Sequence, residues 1–438
     1  MSNMPSSGTR VAGFLCGLRD RQPGSDIGAP SVTGWRTYLR AVGPGLIAGA
    51  SDVDPTTVAT IAVIGAGTVY GMGWMVLLLF PLIAVLQTIG TRVGIATRLD
   101  LQAASAQLYG KTLRWLLLGS ILAVNIVTIA ADLEAGAAAV GLLTGIGWRW
   151  FVAPLSLVLL GAVFLLGYHV LQRVLKYLLL VLFAYAVSAV MARPHWSAVA
   201  GGSLVPHLHW TSVFLFNTLS LIGTTATSYV YVWQTISQAE EKIPWRWYRF
   251  RRLDAILGSL FAVVVCWFIL VATGATLGVK GLDVTTAQDA AQALRPAAGP
   301  WAGDLFALGL LASALVALPV IMSTTAYVTG AHLNWRRGLS LRPRQAPRFF
   351  GALAVSVLVG STVSIADVSP IQLLYWSGVA GALGTPVGLA MLLKVASDPH
   401  VMAGHQIGPW TRATGWTITA LITVVSTLGL YQLLATGP

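Results

Sequence analysis

Residues 49–57 read Gly-Ala-Ser-Asp-Val-Asp-Pro-Thr-Thr and lie inside an apolar stretch that runs from residue 41 to 66. Pro55 removes a helix hydrogen bond and disfavours the helical conformation at Asp54, so a helix over this stretch is weakened here. Two carboxylates, Asp52 and Asp54, stand at the break. We therefore predict an interrupted helix whose freed backbone groups lie beside acidic side chains.

A second stretch of the same kind lies at residues 222–229, which read Ile-Gly-Thr-Thr-Ala-Thr-Ser-Tyr inside the apolar region 211–239. Glycine and runs of hydroxyl residues weaken a helix at this point. At membrane depth, backbone freed in this way is tolerated only where it is buried in protein or lines a wet cavity. The two breaks therefore mark the candidate site.

The composition is that of a membrane protein. Of 438 residues, 56% are apolar and 10% are charged, and the mean hydropathy is +0.75. These values exclude a disordered chain and an ordinary soluble enzyme. The two cysteines, Cys16 and Cys266, form neither a metal-ligand spacing nor a disulfide framework.

Apolar windows long enough to cross a bilayer recur from residue 41 to the end, since a spanning helix needs about 20 residues. They follow a tail, residues 1–34, that is rich in Ser, Gly, Pro and Arg and that we predict to be flexible and cytoplasmic. Residues 35–438 are predicted to form a single transmembrane domain. The eleven predicted spans are 41–66, 73–95, 113–141, 151–168, 171–192, 211–239, 253–278, 302–330, 349–366, 370–394 and 413–435.

The basic residues orient these spans. With the N-terminus in the cytoplasm and the C-terminus outside, 23 of the 27 Lys and Arg residues fall on the cytoplasmic side. This asymmetry accounts for the net charge of +12 without nucleic acid as a partner. We predict a multi-pass protein of the inner (cytoplasmic) membrane.

The two breaks lie in the first and sixth spans, at matching places in two halves of five helices. Such spacing is the sequence pointer to an inverted-repeat transporter whose site lies at the repeat interface. We therefore predict an all-α polytopic fold of the LeuT type. Its repeats would cover about 38–195 and 208–396, followed by an extra helix at about 413–435.

Few acidic residues lie deep in the spans: Asp52 and Asp54 at the first break, and Asp132 and Glu134 in the third span. Asp254 and Asp304 are only at span ends. A carboxylate at the centre of a membrane helix costs about 2.5–3.5 kcal/mol on insertion scales. The pair at the break, together with freed carbonyls, offers the hard oxygens that divalent cations prefer. In an extended break the two side chains point opposite ways, so we expect one of them to be the primary ligand.

The first broken span resembles the corresponding helix of Nramp-type divalent metal transporters, which carry Asp-Pro-Gly-Asn at this place. The resemblance implies that Asp54 is the ligand carboxylate, that Thr57 stands at the Asn position, and that Ser51 supplies a carbonyl. In the sixth span it implies a carbonyl from Thr224, and it places Thr227 where the family has its Met ligand.

The resemblance is closer to a divergent, Nramp-related prokaryotic branch and covers about residues 38–435. That branch tends to carry Gly-Thr-Thr followed by Trp-Gln in the sixth helix, as at 223–225 and 233–234 here. The stretches at 131–133 and 294–309 fit it too.

The chain departs from the family pattern in ways that bear on the ion. Thr227 lacks the soft thioether that favours transition metals, so the remaining oxygen set predicts Mg²⁺-like or Mn²⁺-like selectivity. Tyr229 stands at the position of a family His tied to proton coupling. We expect Tyr229 to join Asp52, Thr225 and Gln234 around the ion or along its path.

Proton coupling is left open by the sequence. The family has a pair of acids spaced i, i+3 in the third helix, whereas here Asp132 is followed at that spacing by Ala135. Asp132 and Glu134 are the candidate proton path.

We therefore predict a secondary transporter that moves divalent metal cations by alternating access, with symport of protons as an open question. The metal ion is the substrate and no cofactor is expected; lipid is the other partner, and the expected state is a monomer. The first alternative is a carrier of the same fold for a small organic substrate such as an amino acid. A membrane enzyme is not expected, because the acids inside the spans have no His partner, and a channel is a further alternative.

Overall fold

The computed structural model describes residues 43–208, 211–282, 289–291, 299–366 and 370–436. The predicted tail, residues 1–34, lies outside these ranges. The described ranges contain helices and no strand.

The described part of the first half contains nine α-helices, in chain order α1 (Pro44–Ser51), α2 (Pro55–Thr68), α3 (Gly73–Thr97), α4 (Leu101–Ser105), α5 (Lys111–Thr144), α6 (Arg149–Leu165), α7 (Tyr168–Val181), α8 (Ala184–Met191) and α9 (Trp196–Leu204).

The described part of the second half continues in the same order: α10 (Ser212–Thr225), α11 (Ser228–Glu240), α12 (Tyr248–Thr273), α13 (Pro300–His332), α14 (Pro347–Ile365), α15 (Pro370–Ser397) and α16 (Pro409–Thr436). A 3₁₀ turn over Trp245–Trp247 precedes α12, a π-helical turn over Gly274–Gly278 follows it, and another 3₁₀ turn covers Pro343–Gln345.

The predicted all-helical fold with two broken helices is confirmed. Helices overlap every predicted span, and the first and sixth spans are each split, into α1–α2 and α10–α11. Within the described residues, seven helical segments are long and apolar enough to cross a membrane by length and composition alone. The count of eleven spans and the repeat boundaries remain predictions.

Glycines allow the half-helices to approach their neighbours closely. A Cβ on Gly45 or Gly49 of α1 would collide with the backbone of α12 near Gly258. Gly90 and Gly94 of α3 meet the backbone of α11 in the same way. Both pairs have the four-residue spacing that lets membrane helices pack backbone to backbone.

The start of α1 is fixed by a carboxylate from α12. Asp254 accepts hydrogen bonds from the backbone N–H groups of Gly43, Gly45 and Leu46, at 3.1, 2.8 and 3.3 Å. These are N–H groups that a helix leaves without internal partners at its N-terminus. The contact ties the first half of the broken helix to a long helix of the second half.

Candidate functional site

The first break is a short extended link between two helices. α1 ends at Ser51, and α2 begins at Pro55 with Asp54 as its N-cap, in an extended conformation with φ −73° and ψ 163°. Oδ1 of Asp54 accepts the N–H of Thr57 at 2.7 Å, a normal capping contact. The break therefore positions the Asp54 carboxylate at the start of α2.

The second break separates α10 from α11 by two residues, Ala226 and Thr227. Thr227 is the N-cap of α11 but its side chain makes no capping hydrogen bond. Its hydroxyl is buried and has no hydrogen-bond partner among the described residues. The carbonyl groups at the end of α10 are those that a helix leaves without internal donors.

Three hydrogen bonds join the two breaks. The hydroxyl of Tyr229, in the first turn of α11, lies 2.6 Å from the Ser51 carbonyl and 2.9 Å from Oδ2 of Asp54. The hydroxyl of Thr57 donates to the Thr224 carbonyl at 3.1 Å. All five residues are buried, so the two breaks form one oxygen-lined centre inside the protein.

Asp52 lies at the same break and is 1% exposed. Its Oδ1 has no hydrogen-bond partner within the described part of the chain. A buried carboxylate oxygen without a partner is unfavourable unless a cation or a proton reaches it. Asp52 is thus a second oxygen source at the break, although it does not share the contacts that Asp54 makes.

Asp132 joins the centre from α5. Its Oδ1 accepts both the N–H and the hydroxyl of Thr56, at 3.2 and 2.9 Å, and Thr56 is two residues after Asp54. Its Oδ2 is buried with no partner among the described residues. Glu134 is also buried but makes no hydrogen bond to the broken helices within the described ranges.

Two residues predicted along the ion path are not among the contacts that join the breaks. The hydroxyl of Thr225 bonds to the Leu221 carbonyl of its own helix. The amide of Gln234 donates to the hydroxyl of Thr91 on α3 at 2.8 Å.

Thr225 does line a narrow cavity beside the second break, together with Thr227, Tyr231 and Gln87. The amide of Gln87 is buried there without a partner among the described residues. Gln87 is absent from the predicted site, because a single polar residue inside an apolar span carries no local signal of what it faces.

The arrangement does not match a conventional metal cluster. The described residues contain no group of three or more His, Cys, Asp and Glu side chains that could hold a metal ion. A cation at the centre would therefore depend on one or two carboxylates together with carbonyl and hydroxyl oxygens, which is a hard-ligand set. A site with few strong ligands also suits a transported ion, because the ion must leave the site again.

The family comparison matches nearly the whole transmembrane region. Residues 45–432 match the family model described as "Natural resistance-associated macrophage protein-like", abbreviated Nramp. A curated relative from Ralstonia nicotianae, named a divalent metal cation transporter MntH, is 30% identical over 93% of this chain and 94% of its own length. Another of the same name, from Deinococcus radiodurans, is 27% identical over 95% of each chain.

Solved structures show the same fold. A manganese transporter from Eremococcus coleocola aligns with a TM-score of 0.74 at 21% identity, over 93% of this chain and 90% of its own. The nucleobase-cation-symport-1 family transporter Mhp1 aligns with a TM-score of 0.58 at 14% identity, over 90% and 92%. These neighbours are transporters of Nramp type and of the LeuT fold, in agreement with the predicted fold class.

Proposed function

This chain belongs to the Nramp family, and we propose that it moves hard divalent cations, Mn²⁺ and Mg²⁺, through the oxygen-lined centre between its two broken helices. The coarser function is that of a divalent metal cation transporter in a membrane, not of an enzyme. The ion class, the ligands, the coupling and the orientation are proposed in addition to it.

One observation supports the ligand set above all others: the contacts of Tyr229 and Thr57 bring Asp54, the Ser51 carbonyl and the Thr224 carbonyl into one buried centre. The ion would take Asp54, the two carbonyls and the hydroxyls of Thr57 and Thr227 as ligands. Since Tyr229 and Thr57 already occupy several of these oxygens, they must release them when the ion arrives.

The proposed ion class follows from the chemistry of these donors. Carboxylate, carbonyl and hydroxyl oxygens suit Mg²⁺ and Mn²⁺, whereas thioether and thiolate ligands favour softer metals. Thr227, at the position where the family resemblance places a Met, supplies only a hydroxyl. We therefore expect weaker discrimination in favour of Fe²⁺ and Cd²⁺ than a thioether would give.

The transport mechanism that we propose is alternating access. In inverted-repeat transporters one helix bundle rocks against the other around a central site formed by broken helices. Here the contacts that join the two breaks at the centre are hydrogen bonds, such as that of Thr57 with Thr224. Such contacts can exchange between two arrangements without unfolding a helix.

Proton co-transport through Asp132 is part of the proposal. The Asp132 carboxylate is fully buried, has one oxygen without a partner among the described residues, and contacts Thr56 next to the ligand segment. A carboxylic acid inside a membrane span with no basic partner is suited to carry a proton. A cation bound at Asp54 would favour proton release from Asp132, because its positive charge favours the ionised form of the Asp132 carboxyl group.

The proposed orientation places the N-terminus in the cytoplasm and the C-terminus outside, because this leaves 23 of 27 basic residues on the cytoplasmic side. The protein would reside in the inner membrane as a monomer. A carrier of the same fold for a small organic substrate such as an amino acid is the less favourable assignment, because Asp52 and Asp54 would repel a substrate carboxylate at the break.

The decisive experiment is divalent-cation uptake by proteoliposomes with the wild type, Asp54→Asn and the control Asp398→Asn. Asp398 is a loop acid beyond α15, far along the chain from either break. We expect Asp54→Asn to abolish Mn²⁺ and Mg²⁺ uptake while the protein keeps its elution profile and helical content, and the control to transport normally. Unchanged uptake by Asp54→Asn would refute the ligand assignment.

A further inference from the structure

A cleft of about 400 Å³ lies between α3, α12 and α16, away from the broken helices. Its residues follow one face of each helix: Phe80 and Arg92 bound the α3 side, Tyr248 and Arg252 belong to α12, and Trp410 lies in the first turn of α16. The size is that of a small-molecule site. The oxygen-lined centre between the breaks makes no use of it.

The cleft is charged at one end only. Arg92 and Arg252 both line it, while no Asp or Glu does. Neither guanidinium forms an ion pair with a carboxylate in the part of the chain that the structure describes. This end therefore carries two positive charges that no acidic side chain of the described residues neutralises.

Aromatic side chains hold one of the two charges in place. The Arg92 guanidinium lies 5.5 Å from the ring centre of Trp245 and 5.3 Å from that of Tyr248, and its Nε donates to the His405 carbonyl at 2.8 Å. Trp245 in turn stacks on His405. Trp410 is 86% exposed at the same end, as tryptophans at the membrane interface are.

Apart from Thr88, Thr411 and Thr414, the rest of the cleft is lined mostly by apolar side chains, and it has the length of a lipid chain segment. From Arg92 to Phe80 the cleft follows twelve residues of α3, about 18 Å at 1.5 Å per residue. One leaflet of hydrocarbon is about 15 Å thick, half of a 30 Å core. The basic end therefore lies at headgroup level when the apolar part lies within one leaflet.

We propose that this cleft binds an anionic phospholipid, with its phosphate at Arg92 and Arg252 and one acyl chain along the α3 face towards Phe80. Basic pockets between helices on the cytoplasmic side bind anionic headgroups, and the positive-inside pattern places this end there. The occupant is a diacyl lipid, because a free phosphate would leave the apolar part of the cleft without a partner.

The test is native mass spectrometry of the purified protein with equal amounts of phosphatidylglycerol and phosphatidylethanolamine. We expect the wild type to retain phosphatidylglycerol preferentially. In Arg92→Gln/Arg252→Gln its affinity should fall by about tenfold or more, since both charges at the headgroup are lost. The matched control is Arg344→Gln/Arg348→Gln, which removes two exposed arginines outside the cleft and should retain the lipid.

Two further measurements distinguish binding of the whole lipid from binding of its headgroup alone. Val85→Trp places a large side chain in the apolar part and should weaken retention without changing charge. Soluble glycerol 3-phosphate should not displace the lipid. The proposal is overturned by equal retention of the two lipids, by unchanged retention in Arg92→Gln/Arg252→Gln or Val85→Trp, or by displacement with glycerol 3-phosphate. A thermal unfolding scan of each variant confirms that the comparison is between folded proteins.

Discussion

The hydroxyl of Tyr229 lies 2.9 Å from Oδ2 of Asp54 and 2.6 Å from the carbonyl of Ser51. A phenol has one hydrogen to donate, so the two acceptors share it. Tyr229 therefore links α11 to both sides of the first break at the atoms that we propose for the ion. A cation that binds Asp54 and Ser51 must displace this hydrogen bond.

Replacing Tyr229 by Phe tests this competition. Tyr229→Phe leaves Oδ2 of Asp54 and the Ser51 carbonyl without the phenol donor, which raises the free energy of the ion-free state more than that of the ion-bound state. We expect Mn²⁺ to bind up to about tenfold more tightly, the equivalent of one hydrogen bond of about 1–1.5 kcal/mol. Isothermal titration on purified protein measures the change.

Tyr231→Phe is the matched control for this substitution. Tyr231 is equally buried and lies two residues further along α11, but its hydroxyl faces the Thr385 carbonyl at 3.4 Å. Its removal should leave the affinity for Mn²⁺ unchanged. Weaker Mn²⁺ binding by Tyr229→Phe would mean that the phenol is itself a ligand and does not compete with the ion.

Much of this centre was predictable, because the signals for both helix breaks lie within short stretches of sequence. Pro55 lacks a backbone N–H and disfavours the helical conformation at Asp54, so it weakens a helix locally, and the second break at Ala226–Thr227 falls within the predicted segment 222–229. The acids at the first break could be noticed because charged residues inside spans are scarce. These signals need no knowledge of tertiary contacts.

The contacts across the centre were not predictable in the same way. Tyr229 meets Ser51 across 178 positions of sequence, and Asp254 meets Gly43 across 211. By sequence, Asp254 is only a residue at the end of a span. Its role in holding α1 depends on how α12 packs against α1, which no periodicity or spacing within either helix reveals.

Adding a thioether at Thr227 should change the ion preference. The Thr227 hydroxyl is buried at the break and has no hydrogen-bond partner among the described residues. Its removal should therefore cost little stability. Thr227→Met supplies a soft ligand, and we expect Cd²⁺ to gain about tenfold over Mg²⁺ in competition uptake assays. Thr225→Met is the control, since the Thr225 hydroxyl bonds within α10. An unaltered Cd²⁺ to Mg²⁺ ratio in Thr227→Met would place Thr227 outside the ion's reach.

Asp132→Asn should separate proton movement from cation binding. The amide oxygen can still accept the hydrogen bonds from Thr56, but the side chain no longer takes up or releases a proton. In proteoliposomes with an internal pH dye, we expect the wild type to acidify the lumen during Mn²⁺ uptake and Asp132→Asn not to. Absence of a pH change in the wild type, with active uptake, would rule out the coupling. Glu134→Gln, which removes a buried acid without contacts to the broken helices in the described residues, is the comparison.

Asp254 holds the start of α1 without belonging to the ion centre, and its removal should act mainly on stability. Asp254→Ala leaves the N–H groups of Gly43, Gly45 and Leu46 without their acceptor. Hydrogen bonds to a charged group contribute about 1.5–3 kcal/mol each, so the loss should lower the thermal unfolding temperature clearly. Because α1 carries Ser51 and leads to Asp54, uptake should also fall.

Asp254→Asn distinguishes the capping role from a general effect of losing a buried side chain. Asn can accept at one oxygen, so we expect stability and Mn²⁺ uptake between those of the wild type and Asp254→Ala. The affinity for Mn²⁺ of the folded fraction should stay within about threefold of the wild type, since Asp254 touches none of the proposed ligands. A large loss of affinity at unchanged stability would instead assign Asp254 to the path of the ion, and the capping contact would then be incidental to it.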